Sequence, residues 1–124
     1  MTEQRAKVLV VDNNELNRDL FCEVLTSAGY AVQAVSDGLN AISHMENARF
    51  DVVLTDFAMP QMDGLELLVE IRNRWPESRV VLHSRVLTSR VARLARLEGA
   101  YAWLSKPQKT AQLLKTIAAA SSAA

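Results

Sequence analysis

Five short apolar runs alternate with five stretches of helical spacing along the chain. Residues 7–11, 31–35, 52–54, 80–82 and 102–104 each have the length of a strand, and runs such as Val52-Val53-Leu54 suit strands buried on both faces. Between them, apolar residues recur at helical spacing. Leu16, Leu20, Phe21, Val24, Leu25 and Ala28 form a first helix, with Asn13 or Asn14 as its cap and Gly29 past its end. Ser36-Asp37-Gly38 turns into a second helix through Leu39, Ala41, Ile42 and Met45. A third, through Leu65, Leu67, Leu68 and Ile71, ends near Trp75-Pro76. A fourth carries Val91, Leu94, Ala95 and Leu97 before Gly99, and a last one Leu113, Leu114 and Ile117. Residues 118–124 form an Ala/Ser-rich tail that is expected to fray, leaving an ordered core of about 6–118.

This alternation predicts an α/β fold, a doubly wound parallel sheet of five strands with five helices, in strand order 2-1-3-4-5 and with right-handed crossovers. Residues 1–124 read as one domain, without repeat or linker. Polar residues stand where four strands end: Asp12 after the first, Thr55-Asp56 at the third, His83-Ser84 at the fourth and Ser105-Lys106-Pro107 at the fifth. In an open parallel sheet those ends converge on the ligand-binding edge. Two acids, a hydroxyl and an amine arriving together are far more specific than one solvated Asp.

The stretch DVVLTDFAMPQMDG at residues 51–64 gives these ends a reading. With its Met59-Pro60-Gln61-Met62-Asp63-Gly64 loop, it resembles the receiver domain of two-component response regulators, and the resemblance extends over nearly the whole chain. It implies a flavodoxin-like receiver fold and a signalling module rather than an enzyme, although one that assists its own phosphorylation and dephosphorylation. By the same resemblance Asp56 is the phosphoacceptor, receiving its phosphoryl group from a histidine kinase or phosphotransfer protein of a phosphorelay. Mg²⁺ would be held by Asp12, Asp56 and the backbone carbonyl of Ala58, with the Asn13 amide as a further candidate. Ser84 and Lys106 would contact the phosphoryl group, and the Lys106-Pro107 bond is expected to be cis. Trp103 stands where the family carries a switching aromatic ring, and its bulk leaves simple packing as the alternative.

Two departures qualify this. The family places two adjacent acids after the first strand, whereas this chain has Asp12-Asn13. A unit charge pair at about 4 Å is worth roughly 4 kcal/mol at an effective dielectric near 20, so the neutral amide is expected to weaken Mg²⁺ binding. Arg85 follows Ser84 where a small residue is usual, and either gates the pocket or points to solvent. These departures keep a second reading open, a degenerate receiver-like binding module whose output does not depend on phosphorylation. Ala58 lacks the acid that a phosphohydrolase of the haloacid-dehalogenase type needs two residues after its nucleophile, which speaks against that class.

Charge and composition add a partner. The net charge is zero, but residues 1–70 hold 4 Lys/Arg and 12 Asp/Glu, whereas residues 71–124 hold 10 and 2. Arg90, Arg93 and Arg96 fall on the fourth helix, part of the family's usual output face, which suggests an acidic downstream protein; Lys109 and Lys115 lie nearby in the chain. No DNA-binding motif is recognisable, so direct DNA binding is not expected, and a monomer or weak dimer is. No apolar stretch approaches the roughly 20 residues of a membrane span, and a lone Cys22 forms no internal disulfide. A cytoplasmic location is the simplest expectation. His44 and His83 read as a surface and a packed histidine.

Overall fold

The computed structural model describes residues 6–85, 88–105 and 109–122. In chain order the elements are β1 (Lys7–Val11), α1 (Glu15–Ser27), β2 (Ala31–Val35), α2 (Gly38–Asn47), β3 (Val52–Asp56), α3 (Gly64–Arg74), β4 (Arg79–Ser84), α4 (Ser89–Leu97), β5 (Ala102–Ser105) and α5 (Thr110–Ser122). The strands form one parallel sheet in the order β2-β1-β3-β4-β5, as the alternation predicts.

Two apolar layers hold it. On one face Leu9, Val53 and Leu82 pack with Met45, Leu68, Ile71 and Ala95 from α2, α3 and α4. On the other, Val10, Leu54 and Val81 pack with Phe21 and Leu25 of α1 and Leu113 and Ile117 of α5. Successive strand residues thus supply opposite layers, which is why the central runs are apolar throughout. The chain winds from β1 out to β2 and then crosses back to β3, so the switch point lies between β1 and β3.

Local signals set the helix ends. Asn14 and Asp37 cap α1 and α2 through their side-chain oxygens. Gly29 and Gly99 adopt φ of +98° and +96° after α1 and α4, a conformation costly for any residue with a Cβ.

The helix of α5 runs through Ser122; alanine is the best helix former, and Ala120 is buried in the second layer. Several leucines that fit the helical spacing are not core. Leu16, Leu20, Leu39, Leu94 and Leu97 are exposed, because each helix buries a narrower stripe than its apolar pattern suggests. In α1 that stripe centres on Phe21 and Leu25, and in α4 on Ala95 alone.

A candidate phosphoacceptor pocket

The switch point gathers the acids. Val11 pairs with Thr55, so Asp12 and Asp56 follow at the ends of neighbouring strands. Asp12 is fully buried and Asp56 only 8% exposed. Asp56 pairs in register with His83, and Ser84, also buried, comes one residue later; Ser84 in turn pairs with Ser105 at the end of β5. Asp12, Asp56 and Ser84 therefore meet on one edge, as the sequence predicts. Lys106 and the Lys106-Pro107 bond lie outside the described residues.

Backbone contacts hold Asp56 in place. The Phe57 N–H donates to the His83 carbonyl at 3.0 Å, and the Gly64 N–H donates to the Phe57 carbonyl at 2.8 Å. A Cβ at Gly64 would stand 2.6 Å from the Asp56 carbonyl oxygen and 2.8 Å from the Phe57 Cα. Only glycine lets the start of α3 approach the end of β3 this closely. Asp63 then caps α3: its carboxylate accepts from the Glu66 N–H at 2.9 Å, while the Glu66 side chain accepts from the Asp63 N–H at 3.2 Å. Asp63 is a structural acid, and the Asp-x-x-Glu spacing was its sequence signal.

Around Asp12, the Asn14 N–H donates to Oδ1 at 2.9 Å and the Arg18 guanidinium donates to the backbone carbonyl at 2.8 Å. The Nε2 of His83, fully buried, lies 3.7 Å from the other carboxylate oxygen of Asp12. Its ring meets Phe21 edge-on, with centroids 4.9 Å apart. His83 is packed, as expected, but it packs into the floor of the acidic pocket. It shares a face with Val81 and, by register, with Asp56.

Asn13, Ala58 and Arg85 are exposed at the rim. Arg85 forms no ion pair or hydrogen bond among the described residues. Trp103 is half-buried against the layer of α2, α3 and α4, its ring tilted 35° to that of Phe57 at 6.5 Å. Its indole N–H is buried and has no partner among the described residues. Away from the pocket, burial pushes the Cys22 thiol above its ordinary pKa; Asp19 adds to the shift and Arg18 opposes it.

The two buried carboxylates of Asp12 and Asp56, on neighbouring strand ends, are oxygen donors of the kind that suits a small hard cation. Among the described residues no cluster of three or more His, Cys, Asp or Glu side chains could hold a metal, so such a cation would rest on two acids and neutral oxygens. No helix among the described residues is long and apolar enough to cross a membrane.

Comparison with known proteins agrees with this geometry. The fold superposes with a TM-score of 0.89 on the chemotaxis protein CheY4 of Vibrio cholerae, 31% identical, covering 94% of this chain and 98% of that one. A signal receiver domain from Pseudomonas fluorescens, 27% identical, gives the same score over 94% of each chain. Among curated proteins, the sensory/regulatory protein RpfC of Xanthomonas campestris is 33% identical over 116 residues, and the sensor kinase CckA of Brucella abortus 32% over 114. The match takes in 90% of this chain but only 16% and 12% of those two proteins. Residues 8–118 match the model of the response regulator receiver domain, and the chain belongs to that family.

Proposed function

We propose that the chain accepts a phosphoryl group on Asp56 from a phosphohistidine of a histidine kinase or phosphotransfer protein. The observation that carries this is the pair of buried carboxylates, Asp12 and Asp56, on neighbouring strand ends at the switch point, with Ser84 beside them. A carboxylate oxygen of Asp56 attacks the donor phosphorus; the new O–P bond forms as the N–P bond breaks, and the imidazole leaves with the electron pair. Mg²⁺, when bound, neutralises charge on the transferred group. Asp12, Asp56, Asn13 and the Ala58 carbonyl are the groups that would hold it. Ser84 would donate its hydroxyl to a phosphoryl oxygen, and Lys106 would pair with another.

The gain of those contacts shifts the population between two conformations. Trp103, reaching Phe57 next to the phosphoacceptor, is the ring that would report the change to the face built by α4, β5 and α5. Exposed Arg90, Arg93 and Arg96 suit that face to an acidic protein partner. The relatives that are sensor kinases support a place in a phosphorelay, either as a separate receiver or as part of a larger regulator.

Incubation with acetyl phosphate and Mg²⁺, followed by intact mass, tests the reading. Wild type should gain one phosphoryl group and Asp56→Asn none. Asn13 favours a second reading, a binding module that works without phosphate. Restoring the charge with Asn13→Asp should tighten Mg²⁺ binding about tenfold or more, read by tryptophan fluorescence. Failure of wild type to take phosphate from either acetyl phosphate or a cognate kinase would favour the second reading.

A further inference from the structure

The charge split along the chain has a spatial counterpart on two helices in opposite layers. α1 covers the face that buries Phe21 and Leu25, and α4 the face that buries Ala95. The solvent side of α1 presents Glu15, Asp19 and Glu23, all exposed, at four-residue steps. Leu16 and Leu20, 79% and 57% exposed, form the adjacent row. Arg18, the one basic residue of α1, is turned aside to the Asp12 carbonyl. α4 presents the converse: exposed Arg90, Arg93 and Arg96 at three-residue steps, with Leu94 and Leu97 39% and 75% exposed and no acid within the helix. None of the six charges forms an ion pair among the described residues.

We infer that α1 of one copy docks on α4 of another, so that the chain associates head to tail. Each surface offers two leucines that the monomer leaves in water, flanked by three charges of opposite sign to those on the other surface. The rows also fit: ridges of three-residue spacing seat in grooves of four-residue spacing when two helices cross at about 20°. One molecule cannot satisfy itself, because the two surfaces are on opposite faces of its sheet. The contact is heterologous and extends into chains or rings. It is also small. α4 has nine residues, about 13 Å of helix, which places the contact with weak and transient interfaces.

This names the acidic partner proposed above as a second copy, and it does not depend on whether Asp56 takes phosphate. It bears on that chemistry in one way. α1 begins beside Asn13 at the pocket rim, so a docked copy would restrict the approach of a phosphodonor.

Sedimentation equilibrium of the unphosphorylated wild type, from micromolar to millimolar concentration, tests it. The mean mass should rise with concentration at about 0.01 M salt and return to the monomer at about 1 M, where the Debye length has fallen from ~30 Å to ~3 Å. Two triple variants extend the test, Arg90→Glu/Arg93→Glu/Arg96→Glu and Glu15→Arg/Asp19→Arg/Glu23→Arg, each checked for native circular dichroism. Each alone should stay monomeric, and an equimolar mixture should associate, because the swapped surfaces again complement one another. A wild type that stays monomeric throughout would assign the α4 face to some other acidic protein and overturn the inference. So would a mass that levels off at a closed dimer, variants that associate like wild type, or a mixture that remains monomeric.

Discussion

α3 and α4 follow neighbouring strands, each leaving the sheet just past a pocket residue, yet they are held very differently. α3 buries Gly64, Leu67, Leu68 and Ile71 and begins with a reciprocal cap; α4 buries Ala95 alone and begins with a one-way side-chain cap, the Val91 N–H donating to the Thr88 hydroxyl. The contrast follows the position of the two strands. β3 is central and fully buried, so the helix after it lies over the middle of the sheet. β4 adjoins the edge strand β5, and its helix has less sheet to cover. The pocket therefore has one wall that is deeply packed and doubly capped beside Asp56, and one that buries a single alanine. On the mechanism proposed above, the second wall is the one expected to shift, since a helix bound as firmly as α3 would resist a population shift.

Truncating one buried leucine in α3 and one exposed leucine in α4 should give the largest separation. Leu68→Ala should cost about 3 kcal/mol of unfolding free energy, whereas Leu97→Ala should cost less than about 0.5 kcal/mol. Urea unfolding measures both, and equal losses would mean that the two helices are equally well seated. Hydrogen exchange offers the same comparison without mutation: amides of α4 should open well below the global unfolding energy, and those of α3 near it.

Gly64→Ala comes next. A Cβ there meets backbone rather than a flexible side chain, so the start of α3 must move away from Asp56. A loss of about 2 kcal/mol is expected, as for overpacked cores. Slower phosphorylation by acetyl phosphate should accompany it, because the displaced atoms belong to Asp56 and Phe57. Normal phosphorylation in a destabilised variant would show that the α3 wall does not position the acceptor.

The sequence disclosed the sheet and the strand-end acids, because these follow from unbroken apolar runs and from polar residues placed where they stop; the strand order came with the resemblance carried by the loop at residues 59–64. Side-chain depth was not disclosed. Leu16, Leu20 and Leu97 obey helical spacing as well as Leu68 does, and only the breadth of sheet under each helix separates them. The pocket was legible at Asp12, Asp56 and Ser84 for the same reason as the strands. The approach of His83 to Asp12 was not, because it joins side chains from strands that are not neighbours and depends on the space beside Phe21. Arg18 escaped notice because its partner is a backbone carbonyl, which leaves no mark in the sequence.

The smallest expected difference is also the most direct probe of how each wall begins. Asp63 satisfies one backbone donor of α3, and Glu66 returns the favour to Asp63's own N–H; Thr88 satisfies one donor of α4 at 3.2 Å and receives nothing back among the described residues. Replacing a capping side chain with alanine costs about 1 kcal/mol in typical cases, and more where the acid also complements the positive end of the helix dipole. Asp63→Ala should therefore lose about 1 kcal/mol, and Thr88→Ala about half of that. Asp63→Asn separates the two contributions of the cap, since it keeps the acceptor and removes the charge. If Thr88→Ala proves the costlier change, α4 is anchored at its start rather than loosely seated, and the freedom assigned to that wall has to be sought in its later turns.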